Sequence, residues 1–121
     1  MRNFVVFLIL PLFLGSPALA QERAMVVLDA SGSMWGQVDG RAKIDIARDA
    51  VDELYRNWEK TDGVDAGLTI YGHRRKGDCT DIELVAEIGP INGKKISTIL
   101  NGIKPKGKTP LSDAVLLAAE S

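Results

Sequence analysis

The hydrophobic positions of this chain fall into blocks whose spacing changes from one block to the next. Ala24-Met25-Val26-Val27-Leu28 is a continuous apolar run ending in Asp29. Such runs fit a strand covered on both faces, as in a parallel sheet. Ser31 to Gly40 is rich in glycine and small polar residues and reads as a loop. From Arg41 to Trp58 the period changes. Ile44, Ala47, Val51, Leu54 and Trp58 recur at steps of three and four, which predicts an amphipathic helix with Trp58 on its core face. Thr61-Asp62-Gly63 then signals a turn.

Ala66 to Tyr71 is a second apolar run and a second strand. Gly72 to Asp81 is polar and reads as a connection; its His73, beside Arg74, Arg75 and Lys76, belongs to a solvated basic loop. Ile82, Leu84, Ala86 and Ile88 alternate with Glu83 and Glu87, broken only by Val85, as in an edge strand with one wet face. Gly89-Pro90 stops it. Asn92 can cap a helix carrying Ile96, Ile99, Leu100 and Ile103 on one stripe. After a basic loop from Lys104 to Lys108, Thr109 and Pro110 predict a third helix, with Thr as N-cap and Pro at its first position.

Strands alternating with helices argue for a layered α/β sheet. The 121 residues suit one small domain, with no internal repeat. The third helix is still running at Ser121, and no strand follows it. Residues 21–121 therefore read as the N-terminal part of a longer domain, with one sheet edge open.

Composition changes this picture little. Hydrophobic content is 45% and the net charge is -1, so neither a disordered chain nor a basic nucleic-acid surface is implied. The N-terminus changes it more. Arg2 precedes the apolar run Phe4 to Leu14, and Ala18-Leu19-Ala20 supplies small residues. This is the order of a secretory signal peptide over residues 1–20, cleaved after Ala20. The run contains Pro11 and is shorter than the ~20 residues of a spanning helix, so no stable membrane anchor remains after cleavage. The expected location is periplasmic or secreted. Cys79, the sole cysteine, then has no partner within the chain.

The candidate chemistry sits where the first strand ends. Asp29, Ser31 and Ser33 are spaced by two and all offer oxygen. Ligand sites in open α/β sheets lie outside the carboxyl ends of strands, and hard cations take oxygen ligands. Here the chain resembles the von Willebrand factor A domain family, whose Asp-x-Ser-x-Ser pattern Asp29, Ser31 and Ser33 meet. Thr109, in Gly107-Lys108-Thr109-Pro110-Leu111, matches the family's later Thr. Ser33-Met34-Trp35-Gly36 is similar to bacterial exported members. The resemblance covers residues 24–121. It implies a Rossmann-like, doubly wound sheet with helices on both faces, cut short at its C-terminus. It further implies a metal-ion-dependent adhesion site for Mg²⁺ (or Mn²⁺ or Ca²⁺) held by Asp29, Ser31, Ser33 and Thr109. A protein partner's acidic residue would complete the coordination, and no catalysis is implied. The family's second Asp has no match; Asp113 lies in the third helix.

Three other readings stand beside it. The hydroxyl loop can be a plain polar turn, and Trp35 can pack on the domain or cover the site. The protein can be a metal-independent structural subunit of an envelope complex. Gly102 to Thr109 also fits the phosphate-loop pattern G-x-x-x-x-G-K-T of nucleotide hydrolases. Helical spacing before it, and Pro110 where a backbone donor is needed, argue against that last reading.

Overall fold

The computed structural model describes residues 20–121. The leader expected at residues 1–20 falls outside them, except for Ala20. The element order is β1 (Glu22–Asp29), a 3₁₀ turn (Gly32–Trp35), β2 (Gln37–Val38), β3 (Arg41–Ala42), α1 (Lys43–Glu59), β4 (Val64–Tyr71), β5 (Ile82–Pro90), α2 (Gly93–Gly102) and α3 (Leu111–Ala119). The two apolar runs, the alternating segment and the three periodic segments each became the element their spacing predicts. Ser31 to Gly40 holds more than a loop: β2 there pairs with β3, which takes the first two residues expected in the helix, as a small hairpin whose turn is Asp39-Gly40 with φ of 50° and 80°.

β1 and β4 are parallel, in unbroken register from Glu22 opposite Val64 to Asp29 opposite Tyr71. α1 forms the crossover between them. Ile44 and Tyr55 on it are buried, and the partly buried Ala47, Val51 and Trp58 pack against the same core. Tyr55, not Leu54, occupies the core position, because four residues beyond Val51 lies closer to the stripe than three. The Tyr55 hydroxyl donates to the Gly67 carbonyl, and its ring meets Trp58 edge-on at 5.7 Å. α2 is capped by Asn92, whose side chain accepts from the Lys95 N–H at 3.0 Å, and adds Ile96 and Leu100 to the same core.

Side chains alternate across a strand. Leu28, Ala66, Leu68 and Ile70 share the core of α1 and α2. α3 lies over the opposite face, chiefly against β1, and buries Ala114 outside that core.

The sheet is not the doubly wound, Rossmann-like one expected from the sequence. A doubly wound sheet extends to both sides of its first strand and holds ligands where the order reverses. Among the described residues the order is β1-β4-β5, with β1 at one edge. β5 runs antiparallel to β4. The physical reason is the connection: residues 72–81 are too few for a parallel return, which needs about a dozen residues or more. The result is a three-stranded mixed sheet with helices packed on it.

Candidate functional site

β1 ends at Asp29, and the chain turns immediately. The Ser31 N–H donates to Asp29 Oδ1 at 2.8 Å, closing the turn around the carboxylate. Ser31 is 2% exposed, and its hydroxyl lies 3.1 Å from that of Ser33, which is exposed. Across the register from Asp29, Tyr71 is buried. Burial first, then hydrogen bonding to Asp29 and its charge, pushes the Tyr71 hydroxyl well above its ordinary range. The phenol therefore stays protonated beside the Asp29 carboxylate.

A second loop lies against the first. Gly32 N–H donates to the Gly107 carbonyl at 2.9 Å, Lys106 N–H to the Ala30 carbonyl at 3.3 Å, and Gly107 N–H to the Gly72 carbonyl at 2.7 Å. Trp35, 51% exposed, neither packs into the core nor floats free: its indole N–H donates to the Pro105 carbonyl at 2.9 Å. Residues 29–33, 71–72 and 105–108 thus converge at the carboxyl ends of β1 and β4. Gly72 is the crossing point. Its φ is +75°, and a Cβ there would stand 2.8 Å from the Lys108 carbonyl oxygen and 2.9 Å from Ser31 Cα.

Thr109 follows Lys108 at this crossing and is exposed. It does not cap the third helix. Pro110 takes the cap position with φ -81° and ψ 58°, and no side chain caps the helix. The Thr109 hydroxyl is therefore not committed to α3.

The sequence missed the neighbouring connection. Asp81 is fully buried and accepts from the N–H groups of Arg74 (2.7 Å) and Arg75 (2.8 Å) and from Arg74 Nε (2.7 Å). Burial works to raise its carboxyl, but the Arg74 guanidinium and these N–H groups outweigh it and hold the group below the usual carboxylate range. The signal available was an Asp at the end of a polar connection, just before an apolar strand. His73 is corrected as well: its side chain is only 10% exposed, with Nε2 3.2 Å from Glu83 Oε2. Cys79 is exposed.

A hard dication would meet only oxygen here. Neighbouring ligands of an octahedral Mg²⁺ with bonds of about 2.0–2.1 Å stand about 3 Å apart. The Ser31–Ser33 separation of 3.1 Å fits this, and Asp29 adds one carboxylate. That carboxylate already accepts from the Ser31 N–H. Among the described residues, no group of three or more His, Cys, Asp or Glu side chains gathers as a metal site. The phosphate-loop reading fails on geometry: Gly102 ends α2, so a helix precedes the loop where a strand is required.

No protein-family model matches the chain. The uncharacterised protein YwmD of Bacillus subtilis (strain 168) is 28% identical over 119 residues, covering 88% of this chain and 52% of YwmD. The chain spans about half the length of that relative. Among solved structures, the PilB minor pilin from Streptococcus sanguinis is similar with a TM-score of 0.65 at 17% identity, covering 88% of this chain and 28% of PilB. A mutant of that pilin gives 0.67 at 15%, covering 86% and 26%. An uncharacterised protein from Alicyclobacillus acidocaldarius gives 0.57 at 24%, covering 83% and 40%. At these identities the likeness is one of fold: a small mixed α/β unit that recurs within larger proteins.

These findings correct the von Willebrand factor A resemblance. No family model supports it, and the similar structures are a minor pilin and an uncharacterised protein. The reading as a metal-dependent adhesion module falls with it. A strand-end Asp followed by small hydroxyl residues is also what a tight, internally bonded turn requires.

Proposed function

We propose that this chain is an exported, non-enzymatic protein-interaction subunit of a cell-surface assembly. The observation that carries the reading is the match of 86–88% of the chain to part of a minor pilin. The signal-peptide pattern of residues 1–20 supports a periplasmic or secreted location. Among the described residues no helix is long and apolar enough to cross a membrane. Exposed apolar side chains on α3 offer a contact surface. The test is a tagged full chain expressed in its own cells and treated with a membrane-impermeant crosslinker. The expected result is a mature form starting at Gln21 and an adduct whose mass is not a multiple of the chain. Confinement to the cytoplasm, or an exported chain without such an adduct, would refute the reading.

For the hydroxyl cluster we propose Mg²⁺ as occupant, with Mn²⁺ or Ca²⁺ as substitutes, held by Asp29, Ser31, Ser33 and Thr109. The 3.1 Å hydroxyl pair supports this. The ion's role is to tie the loop at residues 29–33 to the loop at 105–109, and partner binding is not routed through it. Mg²⁺ at about ten times its Kd adds roughly 1.4 kcal/mol by linkage, about 5–10 °C in Tm for a domain of this size. Ser31→Ala should abolish the rise. An unchanged wild-type Tm in millimolar Mg²⁺ disposes of the site.

A further inference from the structure

The cations of this protein fall into two groups. Arg41, Arg48, Arg56, Arg74 and Arg75 each pair with a carboxylate, on Asp49, Asp45, Asp52, Asp81 and Asp78 in turn. Among the described residues, Lys43, Lys104, Lys106 and Lys108 pair with none. Three of these lysines flank one aromatic ring. Trp35 is half exposed, and its indole N–H is spent on the Pro105 carbonyl at 2.9 Å. Pro105 is buried, and Lys104 and Lys106 on either side of it are exposed. Lys43 lies beside Gly36, the residue after Trp35. Its Nζ stands 3.7 Å from where a Gly36 Cβ would be, and its backbone N–H donates to the Gly36 carbonyl at 2.8 Å.

Side chains alternate along extended backbone. Exposed Lys104, Lys106 and Lys108 alternate with buried Pro105 and half-buried Gly107, and Gly107 bridges in parallel to Ser31. The three lysines therefore form an outward row at intervals of roughly 6–7 Å. The row is firmly seated. Lys106 N–H donates to the carbonyls of Ala30 and Gly72, and a Cβ at Gly107 would stand 2.6 Å from the Arg75 carbonyl oxygen. Both loops are internal to the chain and lie at the carboxyl end of β1. Ser121 lies near the other end, its carbonyl 3.5 Å from Arg23 Nη2.

We propose that Trp35 and the lysines beside it bind an anionic polysaccharide, a chain of sugar rings bearing carboxylates. The indole N–H is already satisfied, so what Trp35 offers a ligand is a flat apolar face fixed in place. A pyranose ring presents C–H groups on one face and its polar groups at the edges, and so suits that platform. Carboxylates at the sugar edges then meet ammonium groups that no protein carboxylate neutralises. The lysine interval is comparable to the length of a sugar unit, so a repeating polymer engages successive lysines. A flexible acidic peptide matches the charge but brings no ring for the indole and loses more conformational freedom on binding. Because the loops are held by backbone hydrogen bonds before any ligand arrives, little ordering cost falls on the protein. This binding goes beyond the surface-assembly reading and uses no metal ion.

Titration of the full chain with oligogalacturonate, in a buffer containing a chelator, tests it. The expected result is binding that weakens as salt rises, because exposed charges are screened. Neutral dextran should not bind, and polyglutamate should bind about tenfold more weakly or worse. Trp35→Ala should lower the affinity for oligogalacturonate about tenfold or more, the scale of a central aromatic contact. Lys104→Gln combined with Lys106→Gln should lower it about as much and flatten the salt dependence. Circular dichroism checks that Trp35→Ala keeps its fold; if it does not, the lysine pair, at exposed positions, decides alone. No binding of oligogalacturonate at millimolar sugar overturns the proposal. So does polyglutamate or dextran binding as tightly, or an affinity that the lysine pair leaves unchanged. The protein adduct that tests the surface-assembly reading is scored separately, so either idea can fail without the other.

Discussion

Gly72→Val is expected to destabilise the protein by roughly 3–4 kcal/mol, a large share of the 5–15 kcal/mol typical of a domain. Two effects combine. The backbone at +75° is one that a β-branched residue rarely adopts. The new Cβ would also press on the Lys108 carbonyl and on the Ser31 backbone, at 2.8–2.9 Å. None of these atoms belongs to a flexible side-chain tip, so whole loops must move. Gly63→Val separates the two effects: its φ is +80°, but its Cβ would meet nothing closer than 3.7 Å. It should cost only about 1–2 kcal/mol, the strain part alone. Urea unfolding measures both, and equal losses would show that the crossing of the three loops adds nothing to stability.

Asp81→Ala should cost about 2–3 kcal/mol, because it strips the partner from two backbone N–H groups and the Arg74 guanidinium. Arg74 is 38% exposed and can turn to water; the amides have less freedom to do so. The pH dependence has a definite sign. The Asp81 carboxyl is held below its usual range when folded. Its contribution is therefore complete above the unfolded value of about 3.9 and is lost as pH falls through the folded value. Asp78, drawn down to about 2 by the Thr80 hydroxyl, the Thr80 N–H and Arg75, behaves alike. Melting temperature should fall from about pH 4 toward pH 2, and less steeply in Asp81→Ala. Parallel slopes in the two proteins would show that Asp81 is not a source of the acid sensitivity.

Both substitutions fall on features that the hydrophobic pattern does not describe, and this marks how far the sequence could be read. Periodicity located every strand and helix of the main sheet, because apolar burial dictates spacing at 2 and 3.6 residues. It placed Asp29, Ser31 and Ser33 together at a strand end, where the structure puts them. It could not tell that β5 runs antiparallel to β4, since that depends on how residues 72–81 turn. Asp81 and Gly72 govern that turn through buried amides and a left-handed backbone, not through apolar spacing. It also chose Leu54 over Tyr55, because a hydroxyl-bearing ring counts as half polar until a carbonyl such as that of Gly67 is seen to receive it. A five-residue motif suggested a family and a metal centre. The wider fold match pointed elsewhere, because a short bonded turn satisfies the same residues.

Trp35 gives the molecule an optical reporter. Its indole is half in water and tethered to the Pro105 carbonyl, whereas Trp58 packs against Tyr55 in the core. Separation of the two loops would free the indole and change the emission of Trp35 while Trp58 stays constant. Loop opening and global unfolding would therefore differ in colour, and a single phenylalanine replacement at either tryptophan would assign each.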